Sequence, residues 1–134
     1  MRVILFSVKN SLEKLRKIVQ VTRFHYRKKH KFLIQVSDEK SAKFVDNLLW
    51  EMPEESFLPH EITNSATKQC IAITNSKENV NEAKYVFNLW HSPLIFKPYK
   101  VIYDFEDGTS EYKRNLSIQR ISGYKEANYS IESA

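Results

Sequence analysis

The sequence predicts an α/β domain, a sheet with parallel strands joined by crossover helices. Up to Pro53 an apolar run, a helical stripe, a second apolar run and a second helical stripe follow in that order, and parallel strands are the arrangement that needs such crossovers. The chain has 134 residues, 42% of them hydrophobic and 28% charged, which suits one compact domain over residues 1–134 with a core of its own. Composition also limits what the domain can hold. Gly108 and Gly123 are the only glycines, and phosphate-cradling loops need several so that backbone N–H groups can approach the anion. A P-loop and the dinucleotide fingerprint are excluded, and no cofactor is expected.

Residues 2–8 form a short apolar run suited to a buried strand. Ser11 offers an oxygen to cap a helix from Leu12, and Leu12, Leu15, Ile18, Val19, Thr22 and Tyr26 share one face at about 100° per residue, carrying it to about His30. Lys31-Phe32-Leu33-Ile34-Gln35-Val36 is the second strand. Ser37 or Asp38 caps the next helix, with its stripe at Ala42, Val45, Leu48, Leu49 and Met52, and Pro53 ends it. Phe57-Leu58-Pro59-His60 reads as a short extended segment and residues 64–68 as a polar loop before an apolar run at 69–74. Residues 84–90 and 99–105 are further strand candidates, rich in aromatic and β-branched side chains. Asp107-Gly108 makes a turn, Thr109 or Ser110 caps a last helix that stops near Gly123, and residues 125–134 are expected to form a loosely ordered tail.

The formal charge of +5 favours anionic partners. No apolar run approaches the ~18 residues of a membrane span, and the opening apolar segment is too short for a secretory signal, so a cytoplasmic location is expected. Cys70 is the single cysteine, which excludes an intrachain disulfide or a multi-cysteine zinc site and reads as a buried core residue of a reducing compartment. No serine has the glycine-flanked turn of a catalytic nucleophile. His25 and His30 point about 140° apart on a helix, unlike the same-face spacing of paired metal ligands. Neither catalytic residues nor a metal site can be named, and a binding or assembly module is favoured over an enzyme.

Three surface features offer binding chemistry. Trp50 projects about 130° from its helix's apolar stripe, and Phe57 follows between Pro53 and Pro59, so an aromatic pair at one edge is one reading and an indole folded under the next loop is the other. On the last helix, Ile118 and Ile121 mark the inward face, leaving Lys113, Leu116, Ser117 and Arg120 on the opposite one. That stripe suits an acidic peptide, although an ordinary solvated face has the same pattern. The run Arg23-Phe24-His25-Tyr26-Arg27-Lys28-Lys29-His30-Lys31 is partly explained by the helix dipole. Phe24, Arg27 and Lys28 also suit stacking and charge contacts with a single-stranded nucleic acid, which makes direct binding through 23–31 the alternative function.

Asp38-Glu39-Lys40, Ala42, Asp46, Leu49-Trp50, Pro53 and Glu55-Ser56-Phe57-Leu58-Pro59-His60 combine an acidic helix start, Leu-Trp at its end and Ser-Phe-x-Pro-His beyond it. In this the sequence resembles the chi subunit of bacterial DNA polymerase III holoenzyme. A weaker match recurs at Arg120-Ile121-Ser122-Gly123-Tyr124, where the family has a basic helix ending at a glycine and an aromatic residue. The resemblance implies a Rossmann-like three-layer domain with a mostly parallel sheet and no nucleotide-binding loop, without catalysis. It further implies a replication adaptor linking the clamp loader, through the small psi subunit, to the acidic C-terminal tail of single-stranded DNA-binding protein. DNA would be reached mainly indirectly and no membrane is involved. A monomer or a 1:1 heterodimer is expected. Matched residue by residue, Trp50 and Phe57 fall on the psi side, with Pro59 and His60 beside them. Counting back from Gly123, the tail-binding positions fall on Lys113, Leu116 and Ser117. Lys113 keeps the family's charge, Leu116 stands for an aromatic and Ser117 for a lysine, with Arg120 or Arg114 as substitutes.

Overall fold

The computed structural model describes residues 1–51 and 58–134. Its strands are β1 (Arg2–Val8), β2 (Phe32–Gln35), β3 (Glu61–Ile62), β4 (Ile71–Thr74), β5 (Tyr85–Asn88), β6 (Val101–Asp107) and β7 (Ser130–Ser133), and its helices α1 (Ser11–Arg27), α2 (Glu39–Trp50) and α3 (Glu111–Glu126). The strands form one sheet in the order β3-β4-β2-β5-β6-β1-β7, and every pairing is parallel. Alternate side chains feed two cores. Phe32, Ile34, Ile71, Ile73 and Phe87 pack with Ile18 and Val21 of α1 and Ala42, Val45 and Leu49 of α2. Leu33, Ala72, Val86 and Ile102 pack on the other face with Tyr124 of α3. Helices on both sides of a parallel sheet make the three-layer, Rossmann-like α/β architecture that the sequence predicts. Strands covered on both faces read as unbroken apolar runs, which is why they stand out in the sequence.

Asparagine, aspartate and serine open the helices. Asn10 caps α1, in place of Ser11, by accepting the Glu13 N–H at 2.9 Å. Asp38 accepts the Ser41 N–H at 2.7 Å and Ser110 the Lys113 N–H at 3.1 Å. Thr109 does not cap, because its hydroxyl donates to Asp107 at 2.6 Å. These caps place all three helix starts beyond the carboxyl ends of the strands.

Four expectations are corrected. α1 stops at Arg27 instead of His30, since Lys29 takes a left-handed φ of 59° and turns the chain back toward the sheet. α3 runs through Gly123 to Glu126. There the glycine serves a close approach, because an added Cβ would lie 2.7 Å from Cγ of Pro93. Residues 125–134 are no loose tail: they complete α3 and then form β7, which pairs with β1 from Arg2↔Ser130 to Leu5↔Ser133. Cys70 is half-buried just before β4, its thiol donating to the His30 carbonyl at 2.9 Å, and burial raises its pKa. Among the described residues no helix is long and apolar enough to cross a membrane.

Candidate functional site

The first candidate surface lies where α2 ends beside β3. Asp46 and Trp50 are four apart and so share a helix face. The Trp50 indole N–H donates to Asp46 Oδ1 at 3.1 Å, and His60 Nε2 bonds the same oxygen at 2.9 Å. His60 Nδ1 faces the Leu58 carbonyl at 2.6 Å, and Leu58 itself is buried in the α1–α2 core. The indole and imidazole ring centres are 4.5 Å apart. One carboxylate thus locks two rings together at the sheet edge while Trp50 stays 50% exposed. Pro59 is half-buried beside them. Phe57, with Met52 and Pro53, lies outside the described residues. Asp46 is the residue that sequence reasoning left out of the site, and its i, i+4 relation to Trp50 was the available signal.

The last helix is rotated about its axis relative to its expected orientation, although Ile121 packs against the core as expected. Ile118, expected inside, is 58% exposed, whereas Ser117, Arg120 and Tyr124 are buried. The cause is Asp104 of β6, a carboxylate with 1% exposure in the interior. Arg120 Nε donates to its two oxygens at 3.1 and 3.2 Å, Tyr124 donates at 2.7 Å and the Asn88 amide at 3.1 Å. Burial nevertheless outweighs Arg120 and holds Asp104 above the usual carboxylate range. Ser117 accepts the Asp107 N–H at 3.1 Å and donates to Lys113 and Arg114 carbonyls. Ser117 and Arg120 are therefore committed to holding α3 on the sheet, because an unpaired buried charge costs more than any aliphatic contact returns.

The accessible start of α3 faces the carboxyl ends of the strands. Lys113, Leu116 and the edge of Arg120 line a crevice of about 140 Å³ with Lys14 of α1 and Leu89, Trp90 and His91 after β5. A groove of about 460 Å³ shares Lys14, Leu89 and Lys113 and continues to Lys40 and the exposed Phe44 of α2. Lys14 also bonds Asp107 at 2.6 Å. Burial pushes the Asp107 carboxyl up, but bonds from Lys14 and Thr109 bring it below its ordinary pKa. Arg114 is not part of this cluster and lines a different groove with Ile118 and Ile121. Three lysines over an apolar floor, at the carboxyl ends of parallel strands where α/β sheets gather ligands, can hold a short acidic segment with apolar side chains. Lys14, Leu89 and Trp90 were missed in the sequence because they come from other elements.

The basic segment divides in two. Phe24, at 51% exposure, projects outward with the Lys28 ammonium 5.8 Å from its ring centre, and Arg27 is exposed beside them. His25 points inward, bonding Tyr103 at 2.7 Å and His30 Nδ1 at 3.0 Å. Burial, with the neighbouring His30, lowers the His25 pKa to about 4. The left-handed turn at Lys29 is what brings His25 and His30 together, against the divergence expected on a continuous helix. Among the described residues no three His, Cys, Asp or Glu side chains gather to hold a metal ion.

A family model, that of the DNA polymerase III chi subunit, HolC, matches residues 1–132. No curated protein matches the chain.

Proposed function

We propose that this chain, which belongs to the DNA polymerase III chi subunit family and so to the accessory parts of a replicative polymerase, bridges two protein partners. The edge with Trp50, Pro59 and His60, and with Phe57 in the adjoining segment, docks a psi-like clamp-loader subunit. The crevice with Lys113 and Leu116 receives the acidic C-terminal tail of single-stranded DNA-binding protein. The observation that carries this reading is the sheet order. β3, beside Trp50, is at one end, whereas α3 packs on β6 and β7 toward the other, so neither partner needs to displace the other.

The exposed indole supplies apolar area for a stable interface. Lys113 and Lys40 offer charge to carboxylates, Lys14 being paired with Asp107 in the same crevice, while Leu116, Leu89 and Trp90 offer apolar contact. Ser117 and Arg120 support the crevice from below, so the tail site in this chain is made by the start of α3 and its neighbours across the sheet end. Calorimetry with an acidic peptide ending in apolar residues tests it. Binding should weaken at least tenfold for Lys113→Glu and fall steeply between low and moderate salt, and Trp50→Ala should leave it unchanged. Salt-independent binding, or equal affinity for Lys113→Glu, overturns the tail half of the proposal. Trp50→Ala should in turn cost about 2 kcal/mol or more in binding a psi-like subunit, and unchanged affinity removes that edge.

A further inference from the structure

We infer that the outer side of α1 is a third docking surface, built for an acidic amphipathic helix of a partner protein. A groove of about 730 Å³ runs along α1 against the end of α2. Its floor is aliphatic: Leu12, Leu15 and Val19 from α1 and Leu48 from α2. Leu12 is 56% exposed on the open side. From Leu12 to Lys28 the helix extends about 24 Å at 1.5 Å per residue, enough to lie against four turns of another helix. No residue of this groove belongs to the Trp50–His60 edge or to the Lys113 crevice, apart from Leu15, which lies between α1 and α2.

Charge determines the occupant. Arg16, Arg23, Arg27 and Lys28 surround the aliphatic floor, and Glu51 is the one carboxylate among the described lining residues. Arg23 is half-buried and its Nε is shielded from solvent without a hydrogen-bond partner, which makes this guanidinium a partly desolvated cation that favours a negatively charged neighbour. A partner helix with apolar side chains at i, i+3 or i+4 and i+7, flanked by Asp and Glu, meets both the floor and the rim. A single-stranded nucleic acid meets the rim alone. Bases need flat rings to stack on, and Phe24 is the one aromatic ring among the described lining residues, with the Lys28 ammonium already over its face.

An 18-residue helical peptide with leucines on one face and glutamates on the other, titrated into the isotopically labelled full chain, tests the inference. Amide shifts should change along α1 and the end of α2. The Arg16→Glu, Arg27→Glu double variant and Leu12→Asp, all at exposed positions, should each weaken binding at least tenfold. So should shuffling the peptide so that its leucines no longer share a face. No binding, equal binding of the shuffled peptide, or shifts centred on the start of α3 overturns the inference. Tighter binding of a 15-nucleotide oligothymidylate, with shifts at the same amides, also overturns it and assigns the groove to nucleic acid.

Discussion

Arg120 is positioned to neutralise a charge that the sheet has already buried. Replacing it by alanine leaves Asp104 without its guanidinium, and loss of one partner of a buried pair costs about 3–5 kcal/mol. Protonation of Asp104 is the way to lessen that cost. Its folded pKa, already raised by burial, rises further in the variant, so the folded state holds a proton that the unfolded chain releases. Stability of Arg120→Ala should therefore fall as pH rises above about 4, which urea titrations at pH 5 and 8 would show. His25 has the opposite sign. Its folded pKa is lowered from 6.5 to about 4, so between those values the unfolded chain binds more protons. Stability is whole above about 6.5 and declines as pH falls through that window. His25→Phe should flatten the decline in thermal melts from pH 7 to pH 4.

Among the elements, α3 shows best what one sequence can and cannot reveal. β2 and β4 were legible because both faces of each strand are apolar, and α2 because Ala42, Val45 and Leu49 follow the helical period into the core. In α3 the buried side chains are Ser117, Arg120 and Tyr124, so a search for apolar periodicity selects Ile118 along with Ile121, which does pack against the core, and rotates the helix away from its true inward face. The reason lies in Asp104, which belongs to a strand and leaves no mark on the helix's own pattern. The crevice was half legible for the same cause: Lys113 and Leu116 are on α3, but Lys14, Leu89 and Trp90 reach it through the fold. Gly123 likewise looked like a helix end because its packing partner, Pro93, is remote in sequence. Gly123→Ala gains about 1 kcal/mol of helix propensity, yet its Cβ would meet Pro93 Cγ at 2.7 Å. A net loss of ~1–2 kcal/mol is expected from overpacking. Pro93→Ala in the same chain should recover most of it, as a double-mutant cycle by chemical denaturation would show.

At the scale of the molecule, β7 is the strand that closes one end of the sheet. Deleting residues 130–134 uncovers the edge of β1, whose unpaired N–H and C=O groups then invite association. A loss of ~1–3 kcal/mol and higher-order species in size-exclusion chromatography are expected, while the Lys113 crevice, built without β7, retains its peptide affinity. The place of β1 between β6 and β7 also bears on how the chain is made. β1 finds no neighbour in the sheet until Val101 and the residues after it have been added. At roughly 5–20 residues per second this is a wait on the order of 5–20 s. Through that interval the apolar β1 has no pairing partner, which leaves it open to association with other chains while synthesis continues.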